Sequence, residues 1–344
     1  MPRVKVLIVD DSPFIRKALL RIFESEPDIE VSGVAKDGKE AVEKVIELEP
    51  DVITLDIMMP GIDGIETLKL IMEVKPTPVL MLSQYTHEGA ELTLNALDLG
   101  AMDFIDKSST GLMDFSGLAK EIISKIKAIA GSKPFKISTP SVALNKHSDK
   151  GIIDVVAIGT STGGPPALQV LLPKFPRDIS FGLLIVQHMP HGFTGPLSKR
   201  LDAMCDIHIK EAEDGDKIEQ GIALIAPSGL HMTAKSMKRS ESGIIGKIKL
   251  GVEPLDAIHR PSVDVLFRSV AESYGNRSLG AILTGMGSDG AKGIKLIKEQ
   301  GGITLAQDRE SSTIFGMPKV AIESGAIDKV VSINLMAEEI MKIV

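Results

Sequence analysis

At 344 residues the chain is long for a single core and points to about two domains, and its 43% hydrophobic and 25% charged residues suit a soluble globular protein. A net charge of −7 argues against a surface that grips nucleic-acid phosphates, no apolar run approaches the ~18 residues of a membrane span, and the N-terminus lacks a signal-peptide pattern. Cys205 is the only cysteine, so no internal disulfide forms; the cytoplasm is the expected location, without direct membrane insertion.

The first 130 residues alternate strand and helix patterns. Val4–Val9 reads as a strand, and Ser12-Pro13 as an N-cap with proline opening a helix that carries Phe14, Ala18, Leu19, Ile22 and Phe23 at helical spacing. Strands at Glu30–Ala35, Val52–Leu55, Val79–Leu82 and Met102–Ile105 alternate with four further helices, the last through Leu118, Ile122, Ile126 and Ile129. Five βα units imply a parallel sheet covered on both faces.

From 131 to 150 the sequence turns to Ser, Thr, Pro and Lys, which reads as a linker between a domain at 1–130 and a second at 151–344. The second domain opens with a strand at Ile152–Ile158 and continues with Phe181–Val186 and Leu279–Leu283. Between about 205 and 252 short alternating segments, Asp206–Lys210 and Lys247–Gly251 among them, suggest inserted antiparallel hairpins. The fold expected is α/β: two doubly wound parallel-sheet domains, the first with flavodoxin-like topology.

In such sheets function gathers at the carboxyl ends of strands. The first domain's edge collects Asp10, Asp11, Asp56, Ser83 and Lys107. Three carboxylates on one rim repel unless a cation neutralises them, and hard oxygen ligands suit Mg²⁺. A carboxylate can also attack phosphorus to give an aspartyl phosphate. Taken singly, each Asp could be no more than a helix cap. The segments VDDS at 9–12, LDIMMPGIDG at 55–64, MLS at 81–83 and DFIDK at 103–107 resemble the receiver domains of two-component signalling. That resemblance implies Asp56 as phosphoacceptor and Asp10, Asp11, Asp56 and the Met58 carbonyl around Mg²⁺. It further implies Ser83 and Lys107 against the phosphoryl group, Phe104 as the aromatic switch, and a histidine kinase as donor. Ser108 stands where receivers usually carry proline.

The second domain's edge differs. Gly159-Thr160-Ser161-Thr162-Gly163 is a G-x-S-x-G turn between strand and helix, where a tight turn exposes a serine hydroxyl. His188 follows the next strand, and Asp289 lies in the loop after Leu279–Leu283, so the three occupy the edge positions that a Ser-His-Asp triad needs. The order Ser, His, Asp departs from that of α/β-hydrolases. Arg260 and Gln187 are open between substrate contact and packing, His208, His231 and His259 receive no role, and Cys205 reads as packing.

IGTSTGG at 158–164, VQHMP at 186–190, HRPSVDVLF at 259–267 and LTGMGSDG at 283–290 resemble the chemotaxis protein-glutamate methylesterases, as does the order receiver, linker, esterase. The resemblance implies Ser161 as nucleophile, His188 as general base, Asp289 as its orienting partner, and the amides of Met286 and Thr162 as oxyanion donors. It implies hydrolysis of glutamate γ-methyl esters on the cytoplasmic helices of chemoreceptors, with deamidation of some glutamines, no cofactor for the hydrolysis, and a receiver that restrains the esterase until phosphorylated.

Three other readings compete. Gly285, Gly287 and Gly290 with Asp308 formally satisfy a dinucleotide fingerprint, although that leaves Ser161 and His188 unexplained. The second domain could be a non-enzymatic adaptor. A DNA-binding output lacks a basic recognition helix.

Overall fold

A computed structural model of the chain describes residues 3–83, 87–107, 115–132, 153–240 and 243–344. The chain divides into two compact units, Met1–Ile137 and Ser138–Val344, with the boundary inside the segment 131–150. Ser108, and that segment from 133 onward, lie outside the described residues.

The first unit runs β1 (Val4–Val9), α1 (Pro13–Glu24), β2 (Ile29–Ala35), α2 (Gly38–Leu48), β3 (Val52–Asp56), α3 (Gly64–Val74), β4 (Val79–Ser83), α4 (His87–Asp98), β5 (Asp103–Asp106) and α5 (Phe115–Ile129). The strands form one parallel sheet in the order β2-β1-β3-β4-β5, the flavodoxin-like arrangement. Val6–Val9 and every residue of β3 and β4 are buried, as near-continuous apolar strands between two helical layers must be. Caps start the helices where expected: the Ser12 hydroxyl accepts from the Ile15 amide at 3.4 Å, and Asp63 accepts from the Glu66 amide at 2.8 Å. Phe14 sits on the solvent side of α1, and Leu19 and Phe23 carry its core contact.

Register assembles the rim. β1 pairs with β3 at Val9 and Leu55, so Asp10 and Asp56 come next on neighbouring strands. Asp56 faces Leu82 on β4, and Ser83 faces Asp106 on β5, so Ser83 and Lys107 reach the same edge.

The second unit runs β6 (Val155–Thr160), α6 (Gly164–Leu171), β7 (Gly182–Gln187), α7 (Thr194–Asp202), β8 (His208–Glu211), β9 (Lys217–Ile218), β10 (Ile222–Ile225), β11 (His231–Ser240), β12 (Gly243–Gly251), α8 (Val263–Tyr274), β13 (Ser278–Ile282), α9 (Ala291–Glu299), β14 (Ile303–Gln307), α10 (Met317–Glu323), β15 (Lys329–Val331) and α11 (Ile333–Ile343). Seven strands form a parallel sheet, β15-β14-β13-β6-β7-β10-β8. A separate antiparallel sheet, β11-β12-β9, buries Met232, Ala234, Ile244 and Ile248 in one core with Leu266, Phe267 and Val270 of α8.

The expectation of hairpins across 205–252 holds for β11 and β12 and fails for Asp206–Lys210. That segment enters the main sheet as β8, a parallel edge strand on β10. A half-buried edge strand alternates like a hairpin arm, and periodicity carries no strand direction. The first strand of this unit is Val155–Thr160, whereas the expected start at Ile152 lies outside the described residues; Asp154, just ahead of the strand, is held by Arg277, Nε to Oδ2 2.6 Å.

Candidate functional site

At the first unit's rim Asp10 is fully buried, Asp56 is 5% exposed, and Asp11 faces solvent. Oxygens of the three lie within 4.8 Å of one another. Lys107 reaches in with its ammonium 2.8 Å from Asp56 Oδ1 and 3.3 Å from Asp10 Oδ2. Burial, and then the charge of Asp56, push the Asp10 carboxyl above the usual carboxylate range, while Lys107 works against the rise. One ammonium contacts two of the three carboxylates, and the hard, crowded oxygen set fits a divalent cation of the Mg²⁺ class. None of the three carboxylates caps a helix, since Ser12 and Asp63 do that work.

Ser83 is buried at the end of β4 with its Oγ 2.8 Å from the Thr93 hydroxyl. Phe104 is buried on β5, and the Lys125 ammonium lies 5.8 Å from its ring centroid. Met58 is exposed beside the rim, its amide 3.4 Å from Asp56 Oδ1. Sequence reasoning missed Arg16, one turn into α1, whose guanidinium donates to the Asp10 and Asp11 carbonyls at 2.7 and 2.8 Å and pins the acidic loop.

At the second unit's edge, β6 ends at Thr160 opposite Gln187 on β7, which places Ser161 and His188 just past paired strand ends. The Ser161 amide donates to the Thr284 carbonyl at 3.0 Å and the His188 amide to the Thr160 carbonyl at 3.1 Å. Gln187 ties the two loops together: its Nε2 is 2.9 Å from both the Ser161 and the His188 carbonyl oxygens. The turn demands glycine, because a Cβ on Gly164 would lie 1.9 Å from Gln187 Oε1 and one on Gly285 2.8 Å from the Ser161 Cβ. Met286 therefore follows a residue packed on Ser161, and Thr162 is buried directly after Ser161.

His188 Nε2 lies 2.8 Å from Asp289 Oδ2. Asp289 accepts further hydrogen bonds from the Ser262 hydroxyl at 2.8 Å and from the amides of Val263 and Asp264 at 2.8 and 3.0 Å, the first turn of α8. Burial alone would raise this carboxyl, but the His188 contact and the helix amides overcome it and hold Asp289 well below the usual range. An ionised Asp289 fixes the His188 proton on Nε2. That leaves Nδ1, buried and without a hydrogen-bond partner among the described residues, as the basic nitrogen.

Two residues that sequence reasoning left without a role join this site. Ser262 caps α8 as well as binding Asp289, and the His259 ring stacks on His188 with centroids 4.2 Å apart and planes 22° apart. Both lie in HRPSVDVLF, so the signal was present as a motif without a mechanism. His231, also passed over, accepts from the Ser262 amide at 3.2 Å, and burial lowers its affinity for a proton.

Asp308 is engaged by its own turn, accepting from the Ser311 amide and hydroxyl, which leaves the fingerprint's acidic residue committed locally. Burial, with Asp202 and Asp206 nearby, pushes the Cys205 thiol up to about 12, too weak an acid for thiolate chemistry. No helix among the described residues is long and apolar enough to cross a membrane.

Comparison with known proteins matches residues 156–340 to the family described as CheB methylesterase and residues 6–112 to the response regulator receiver domain. A protein from Lawsonia intracellularis named protein-glutamate methylesterase/protein-glutamine glutaminase is 43% identical, with 98% of each chain covered. One of the same name from Archaeoglobus fulgidus is 44% identical over 98% of this chain and 97% of its own. The crystal structure of the Thermotoga maritima CheB methylesterase catalytic domain aligns with a TM-score of 0.52 at 37% identity, covering 56% of this chain and 99% of that one.

Proposed function

The chain belongs to the CheB methylesterase family, with a response regulator receiver domain ahead of the esterase, and from that premise we propose that it hydrolyses glutamate γ-methyl esters on chemoreceptors through Ser161, His188 and Asp289. The observation that carries this reading is the His188–Asp289 pair at 2.8 Å beside the turn of Ser161, with His188 Nδ1 without a hydrogen-bond partner among the described residues. In the reaction His188 Nδ1 takes the Ser161 proton as the hydroxyl oxygen bonds to the ester carbonyl carbon. The tetrahedral oxyanion is held by amides of the turn, those of Met286 and Thr162 in this reading. Collapse expels methanol, protonated by His188, and water attacks the acyl-enzyme by the same route to return serine and a glutamate. A glutamine side chain enters the same sequence with ammonia leaving, which accounts for the second activity in the relatives' names. The steps need only these side chains and water.

In the receiver, Asp56 is the phosphoacceptor and a histidine kinase of the chemotaxis system the donor. Asp10, Asp11, Asp56 and the Met58 carbonyl would hold Mg²⁺, which neutralises charge on the transferring phosphoryl group. Lys107, now paired with Asp56, turns to the phosphoryl oxygens, Ser83 donates to them from β4, and Phe104 is the switch. Phosphorylation raises esterase activity. The working division is receiver 1–130, linker 131–150 and esterase 151–344, acting at the cytoplasmic side where receptor methylation sites lie.

A fluorophosphonate probe tests the site directly. Stoichiometric labelling of wild-type protein, absent in Ser161→Ala and strongly slowed in His188→Ala, is expected; labelling retained by Ser161→Ala refutes the assignment.

A further inference from the structure

The small sheet carries an outer face that the fold does not explain. Lys235 on β11 stands opposite Lys247 on β12, which in turn stands opposite Lys217 on β9, and Lys249 comes next on the same side opposite Thr233. All four lysines are exposed, while the alternate residues Met232, Ala234 and Ile248 face the core. Like charges directly opposite one another weaken a sheet. Lys217 has a distant partner in Glu219 at 3.9 Å, and Lys235, Lys247 and Lys249 have no carboxylate partner among the described residues.

Beside this basic row lies apolar surface. Ile245 and Met237 are exposed on the hairpin, and Val252, Leu255 and Ile258 are exposed on the segment that leaves β12, Ile258 at 93%. That segment also carries exposed Glu253 and Asp256, so the positive charge is confined to the sheet and the segment contributes its aliphatic side chains. An exposed apolar strip beside a row of unpaired lysines marks an interaction surface.

The surface is continuous with the catalytic edge at the open end of the hairpin, through both of its strands. His231, the first residue of β11, is hydrogen-bonded to Ser262, which holds Asp289. It pairs with Gly251, from which Val252–Ile258 lead to His259, stacked on His188. Lys249 and Lys247 stand two and four residues from Gly251, about 7 and 13 Å along the strand at ~3.3 Å per residue. A helix of roughly ten residues spans such a length.

We propose that the outer face of the three-stranded sheet, with Val252, Leu255 and Ile258, docks a glutamate-rich amphipathic helix of the substrate protein. This rests on the esterase reading above and adds what the substrate must present besides the ester. Carboxylates flanking the reacting residue meet the lysine row, and the helix's apolar stripe meets the exposed aliphatics. Each turnover creates one more carboxylate on the docked helix, so the product holds to this surface more strongly than the ester does.

The test uses the full-length protein and methylated receptor in membranes. The variant Lys235→Glu, Lys247→Glu, Lys249→Glu raises KM about tenfold, with the loss falling on KM rather than kcat. Wild-type KM rises severalfold between about 50 and about 300 mM NaCl, a measurement that needs no variant. Fluorophosphonate labelling of wild-type protein separates the two claims. No labelling sinks the esterase reading. Normal labelling, with KM insensitive to salt and unchanged to within about twofold by the charge reversals, overturns the docking surface alone.

Discussion

The Ser262 hydroxyl donates to Asp289 Oδ1 at 2.8 Å while Asp289 Oδ2 lies 2.8 Å from His188 Nε2, so the helix cap of α8 and the carboxylate facing His188 are one hydrogen-bonded unit. The cap's own bond, from the Val265 amide to Ser262 Oγ, is longer at 3.4 Å. The stronger commitment of Ser262 is to the site.

Ser262→Ala should therefore lower kcat about tenfold, since a hydrogen bond to a charged group is worth roughly 1.5–3 kcal/mol and the Val263 and Asp264 amides remain to hold Asp289. Methanol release at saturating receptor measures it. A kcat unchanged within twofold would show that the two amides suffice.

His259 stacks on His188 from the exposed side. Stacked aromatic pairs contribute about 0.5–1.5 kcal/mol, so His259→Ala should cost about two- to tenfold in kcat, and His259→Phe, which keeps the stack, should restore most of it. Equal loss in both variants would mean that a polar contact of His259 matters instead.

Both halves of the account involve carboxylates moved in opposite directions. Asp289 is depressed, so it stays ionised well into acid and the stability it contributes is lost only as pH falls through its low folded value. Asp10 is raised by burial and the Asp56 charge, so its ionised form opposes folding as pH rises above the unfolded value, and it keeps a proton to higher pH than a free aspartate. Mg²⁺ and the proton therefore compete for Asp10 as pH falls toward its raised value. Calorimetric titration should find Mg²⁺ affinity falling as pH is lowered from about 7.5 to about 5, with Asp10→Asn weakening binding throughout. An affinity left unchanged by Asp10→Asn would place the cation away from Asp10.

The parts of the site legible in the sequence are those that strand ends dictate. Asp10, Asp56, Ser83, Ser161 and His188 each follow a buried apolar run, and in parallel sheets such positions share an edge whatever the register details. Ser262 and His259 were illegible because their place depends on α8 crossing the loop after β13, where a Cβ on Gly290 would lie 2.6 Å from Val263. Nothing local in HRPS reports that crossing. The direction of β8 was illegible for a related reason: alternation shows one buried face, and only the partner strand β10 decides parallel pairing.

The most direct measurement is methanol release from methylated receptor, with and without acetyl phosphate and Mg²⁺, for wild type, Ser161→Ala and Asp56→Asn. Wild type should release methanol and be stimulated by the phosphodonor, Asp56→Asn should keep the unstimulated rate and ignore the donor, and Ser161→Ala should fall by about 10⁴-fold or more. Methanol release by Ser161→Ala near the wild-type rate would contradict the account at its centre.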